Sequence, residues 1–191
     1  MNRIVRWDRA ELAARCDDVL DVYADAMDVP VSSARARRPV LASHLEREGL
    51  TTVAAVDRVG RLVGIAYGYI GRSGQWWHDQ VRASMQEALG AAATAEWLDE
   101  VFEVCELHVR PRAQRAGLGR TLLDTLLDGQ PVRTAVLTTP DHETRARGFY
   151  RAAGWVDLVR DVRFPGDPRS FAVLGLRLRD DRSAGRPATA L

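Results

Sequence analysis

The spacing of apolar residues changes period along the chain, and each change marks a predicted element. Residues 3–7 read as a short strand. Asp8 with Glu11 three positions later resembles a capping box. Leu12, Cys16, Val19, Leu20, Tyr23 and Met27 then recur at helical spacing, which predicts one amphipathic helix over 9–27. Pro30 closes that unit, and residues 31–48 predict a second helix with a basic stretch, ARARR, at 34–38. Residues 51–57 and 61–70 are β-branched and apolar around a Val59-Gly60 turn, a hairpin pattern. Residues 75–100 are helix-prone and hold three of the five tryptophans, so they read as a helical insertion between strands. A strand is predicted over 101–109, and a helix over 117–128 with Leu118, Leu122, Leu123, Leu126 and Leu127 on one side. After a strand at 132–138, Thr139-Pro140-Asp141 predicts a helix start with Pro at the first helical position. Ala146, Phe149, Tyr150 and Ala153 would line that helix and Gly154 cap it. Residues 155–163 and 170–178 complete the strands, and 180–191 have the composition of a disordered tail.

Hairpins mixed with two strand–helix units give an α/β (mixed α+β) class, with a sheet of about seven strands. The length, 191 residues, fits a single domain over 1–179 with its helical insertion at about 75–100. Net charge is +1, so no bulk field draws the chain onto nucleic acid or an acidic membrane, and neither partner is expected. No apolar run approaches the ~18 residues of a membrane span. The N-terminal residues MNRIVRWDRAELAAR interrupt their apolar positions with charges, unlike a signal peptide, and a cytoplasmic location is expected. Cys16 and Cys105 read as core residues rather than a disulfide framework. The four histidines share no ligand spacing with them, so no metal site is expected. All 27 basic residues are arginine, which stays protonated and is a poor nucleophile.

The chemistry concentrates in VRPRAQRAGLGR, residues 109–120, between the strand at 101–109 and the helix after it. Pro111 stops the strand. Gly117 and Gly119 remove side chains where a helix begins, so its N–H groups can approach a ligand closely. Those donors and the helix dipole suit a phosphate or pyrophosphate, and Arg112, Arg115 and Arg120 add charge. A nucleotide-triphosphate loop would need a lysine, and a dinucleotide fingerprint a glycine where Leu122 stands.

The same stretch resembles the acyl-CoA-binding motif of the GCN5-related N-acetyltransferase (GNAT) superfamily, V-x-P-x-x-[QR]-x-x-G-x-[GA], through Val109, Pro111, Gln114, Gly117 and Gly119. About 30 residues on, Ala146, Phe149, Tyr150, Gly154 and Trp155 resemble its second motif. A departure is Glu143, where the family often has an Asn that helps hold the cofactor; an ionised Glu cannot donate that bond. The resemblance implies acetyl-CoA as acyl donor, its pyrophosphate on Gln114, Arg115, Ala116, Gly117, Leu118, Gly119 and Arg120. It places the pantetheine arm along Leu107, His108 and Val109, and a backbone N–H there on the thioester carbonyl. Tyr150, also beside the cofactor, would protonate the leaving thiolate.

An amine attacking the thioester must first lose a proton, at a cost of ~4 kcal/mol for a pKa near 10 at neutral pH. Glu106 and His108 alternate to one face of their strand; Glu106 is the first candidate base and His108 the second. Glu103 is the reserve, on the opposite face unless a bulge intervenes. Tyr69, Trp76 and Trp77 are candidate acceptor contacts, and Asp99, Glu100, Glu103 and Glu106 could attract a cationic acceptor. The expected acceptor is a small-molecule primary amine. The alternatives are a peptide or protein amine, or a non-catalytic acyl-CoA sensor. Homodimers are common in the superfamily.

Overall fold

The computed structural model describes residues 2–178; the tail predicted at 180–191 lies outside them. No helix among the described residues is long and apolar enough to cross a membrane. Seven strands and eight α-helices among the described residues give the mixed α/β class expected. The described backbone groups into two compact units, residues 2–71 with 102–128, and residues 72–101 with 129–178.

The first unit carries the strands β1 (Arg3–Trp7), β2 (Thr51–Val56), β3 (Leu62–Ile70) and β4 (Val101–Val109) in that order, all antiparallel. The predicted hairpin is β2–β3. The predicted capping box is also present, with Asp8 accepting from the Glu11 N–H at 2.8 Å. The single helix expected over 9–27 is two, α1 (Arg9–Ala14) and α2 (Cys16–Met27), broken at Arg15. Residues 31–48 likewise divide into α3 (Val31–Arg35) and α4 (Arg38–Leu45), with Pro39 tolerated in the first turn of α4. Leu12, Val19, Leu20 and Leu41 of these helices meet Ala54, Ile65 and Tyr67 in one core. Side chains alternate across a strand, so Gly64 faces the other way, where a Cβ would come within 3.0 Å of Leu122. That face is covered by α7 (Leu118–Leu127), whose leucines bury as the pattern predicted, except that Leu127 is only half-buried.

The second unit holds β5 (Thr134–Pro140), β6 (Val156–Arg163) and β7 (Ser170–Arg177), with β7 antiparallel to both neighbours. The insertion is helical as expected, but Gly90, at φ 82°, divides it into α5 (Trp76–Leu89) and α6 (Ala91–Leu98). Val81, Met85 and Leu98 pack with Val136, Val159 and Val173.

The helix start expected at Thr139-Pro140-Asp141 is not there. Pro140 ends β5, opposite Phe171, and α8 (Arg145–Ala152) begins after Thr144, whose side chain accepts from the Arg147 N–H at 3.0 Å. Thr139 and Pro140 are held in the strand by their pairing with Ala172 and Phe171, and Arg147, Arg160 and the Asp161 N–H all donate to the Asp141 carboxylate. On α8 the fully buried residue is Arg147, while Ala146, expected to line the core, is exposed.

Candidate active site

The first half of the site is built on β4. Its N-terminal residues are buried, and from Cys105 to His108 the strand becomes half-exposed. Val104 pairs with Gly68 and Glu106 with Tyr67, so Cys105 is an extra residue, a bulge. Paired residues point to the same face of a sheet. The bulge therefore brings Glu103, opposite Tyr69, onto the face that carries Glu106, opposite Tyr67, and His108, opposite Ile65. Glu103 is buried and Tyr69 lies beside it in register, under the rings of His44 (5.4 Å) and the guanidinium of Arg47 (5.8 Å).

Glu106 and His108 come together: Nε2 of His108 lies 2.5 Å from Oε2 of Glu106. Arg37, from the joint between α3 and α4, donates Nη2 to Oε1 of the same carboxylate at 2.7 Å. Its guanidinium lies 4.6 Å above the Tyr23 ring, and Tyr23 meets His108 edge-on at 5.1 Å. Val19, Leu20, Val40, Leu41 and Tyr67 complete a pocket around these four. Burial pushes the Glu106 carboxyl up, but hydrogen bonding and charge from His108 and Arg37 outweigh it and hold it below its ordinary value. Burial holds the nearby His44 imidazole low, hence neutral, with Nδ1 3.2 Å from the Tyr67 hydroxyl. Burial pushes the Tyr67 and Cys105 groups well up, so neither is an anion at neutral pH.

The second half is the turn after β4. A short 3-10 turn, Pro111–Ala113, follows the strand, and the Gln114 side chain donates back to the Val109 carbonyl at 2.8 Å. Arg115, at φ 64°, and Gly117, at φ 77°, are both left-handed, which turns the chain into α7. No side chain caps the Gly117 end, where the first turn of a helix has N–H groups without an intrahelical acceptor. A Cβ on Gly117 would meet no protein atom within 4 Å, so open space lies over this backbone. An anionic phosphate fits such a cradle. Arg112 and Arg115 are exposed around it, whereas Arg120 is turned along the helix onto Asp124 at 2.8 Å.

Tyr150 lies on α8 in the second unit, half-exposed between the rings of Phe149 (5.2 Å) and Trp155 (5.6 Å). Glu143 is exposed and receives Arg151 at 3.0 Å. Trp76 is exposed against Phe164, and Trp77 packs on that unit's core with Nε1 donating to Thr138 Oγ1 at 3.3 Å. The acidic residues do not act as one group: Asp99 is paired with Arg82, Glu100 with Arg133 and Glu106 with Arg37. The basic stretch at 34–38 reads in the sequence as a solvated face that could also hold an acidic group, and the second reading is the one the structure has. Arg35 and Arg38 bind acidic residues of α2, and Arg37 reaches 69 positions along the chain to Glu106.

The model of the acetyltransferase (GNAT) family matches residues 16–155. A GCN5-like protein acetyltransferase of Mycobacterium tuberculosis is 36% identical over 194 residues, covering 88% of this chain and 94% of that protein. Among solved structures, a GNAT-family protein from Desulfovibrio desulfuricans superposes with a TM-score of 0.65 at 16% identity, over 93% of this chain and 99% of its own. A Salmonella typhimurium protein solved with its cofactor acetyl-CoA superposes with a TM-score of 0.57 at 16% identity, over 99% of each chain.

Proposed function

The chain belongs to the acetyltransferase (GNAT) family, and on that premise we propose that it acetylates a slender primary alkylamine carried by a small molecule. Acetyl-CoA is the acyl donor and supplies an activated thioester carbonyl. Gln114 to Arg120 would hold its pyrophosphate, and Leu107 to Val109 would run along its arm. The observation that carries the acceptor reading is the pocket lined by Tyr23, Tyr67, Glu106 and His108, since a carboxylate in a pocket with aromatic rings suits an alkylammonium.

Within that pocket His108 takes the base's part and Glu106 supports it. Both oxygens of Glu106 are engaged, one by Arg37 and one by Nε2 of His108. Such a carboxylate orients an imidazole by holding Nε2, which leaves Nδ1 to accept the acceptor's proton. Nitrogen then forms its bond to the acetyl carbon as the carbon–sulfur bond breaks, and the thiolate takes a proton, a part that the family resemblance gives to Tyr150. Tyr69 backs the acceptor pocket, whereas Trp76 stands against Phe164 and Trp77 supports its own helix.

A second reading, a peptide lysine as acceptor, is favoured by the 36% identical relative, which is named a protein acetyltransferase. Release of free CoA from acetyl-CoA, followed with a panel of alkylamines and polyamines beside lysine peptides, separates the two. Turnover with the small amines supports the first reading, and turnover with peptides alone replaces it with the second. Acetyl-CoA binding with no turnover on either panel would favour a sensor.

A further inference from the structure

We propose that Arg37 is a specificity-determining residue: its guanidinium fills the acceptor's ammonium subsite, and a cationic acceptor enters by exchanging with it. The inference rests on the acceptor pocket assigned above. Two groups that would recognise an alkylammonium, the Glu106 carboxylate and the face of Tyr23, are both taken by Arg37, at 2.7 Å and 4.6 Å. Two cations cannot share one carboxylate and one ring without repulsion.

The surroundings permit exchange by a side-chain swing alone. Arg35 is paired with Asp17 and Asp21, and Arg38 with Asp17, so the backbone on either side of Arg37 is tied to α2. The Arg37 side chain is 39% exposed while that of Glu106 is 15% exposed, so the guanidinium has a path to water that the carboxylate lacks. Acceptors are thereby sorted by charge. A cation can replace what it displaces, whereas a neutral group would leave Glu106 short of a partner.

A binding experiment without acetyl transfer tests this. Methylguanidinium and n-butylammonium are titrated into wild type, Arg37→Gln and Arg37→Ala, and the ring signals of His108 are followed by NMR. With the subsite vacated, half-saturation falls by about tenfold in both variants, because the competent state is no longer a minor one. Arg37→Lys, which returns a cation to the pocket, restores wild-type behaviour. Equal half-saturation in all four proteins would overturn the proposal. In turnover assays the KM for n-butylamine falls in Arg37→Gln while that for acetyl-CoA does not; an unchanged amine KM with a lower kcat would mark Arg37 as a support for Glu106 instead, and would also overturn it. Tight probe binding with no acetylation of any amine would leave Arg37 as a plug of a cation site and remove the acceptor reading.

Discussion

Glu106 offers two carboxylate oxygens, and each has a partner of its own, Arg37 and His108. A group so occupied gains more by holding charge than by accepting a further proton. Glu106→Gln should lower kcat/KM for the amine by about 10²-fold, because the imidazole that accepts the proton loses the carboxylate that orients it, and leave acetyl-CoA affinity unchanged in calorimetry. Tyr150→Phe should lower kcat by a similar factor of about 10² with the same affinity for acetyl-CoA; a wild-type rate would remove its part in the reaction. The period of β4 made the shared face of Glu106 and His108 legible in the sequence. The bulge at Cys105, which brings Glu103 round to that face, was not, because a one-residue insertion is decided by pairing with β3. The basic stretch at 34–38 could be read as holding an acidic group, but not that Arg37 holds Glu106, since a solvated arginine and one folded onto a distant carboxylate have the same local sequence.

At the scale of elements, α8 and β6 are tied together by charge. Arg147 has no exposed side-chain surface and donates to Asp141 and Asp157, both at 2.6 Å. Truncating it leaves buried carboxylate charge, so Arg147→Ala should cost about 3 kcal/mol in urea denaturation. Burial pushes the Asp141 carboxyl up, but Arg147, the Asp161 N–H and Arg160 outweigh it and bring it to about 2, against an ordinary 3.8. A carboxyl depressed in the folded chain stabilises the fold above its unfolded value and loses that contribution as pH falls through its folded value. Stability should therefore drop by about 2 kcal/mol between pH 4 and 2, with a shallower acid limb in Arg147→Ala. These ties explain the misplaced helix start. Thr139-Pro140-Asp141 has the local signature of a helix start, but the partners that hold Asp141, Arg160 and Asp161, come from β6, 19 and 20 positions on. Apolar period, by contrast, placed β4 and the core of α7 closely, because those elements depend on burial of their own side chains.

Across the whole molecule, the two motifs stand in different compact units: the glycine turn in the first and Tyr150 in the second. Their order along the chain was legible and sufficed to identify the family; the acceptor was not, because its pocket is assembled from α2, the α3–α4 joint, β3 and β4. The central claim is that the turn at Gln114–Arg120 cradles the pyrophosphate of acetyl-CoA. Gly117 tests it cleanly. A side chain there meets no protein atom within 4 Å, so its internal cost is the left-handed backbone, about 1–2 kcal/mol and more for a β-branched residue, while the new atoms stand in the open space beside the turn. The decisive measurement is a calorimetric titration of wild type and Gly117→Val with acetyl-CoA, free CoA and ADP, alongside thermal melts of both. Saturable binding by wild type that weakens at least about tenfold in a still-folded Gly117→Val is the predicted result. Equal affinity in the two proteins would place the pyrophosphate elsewhere and contradict the account.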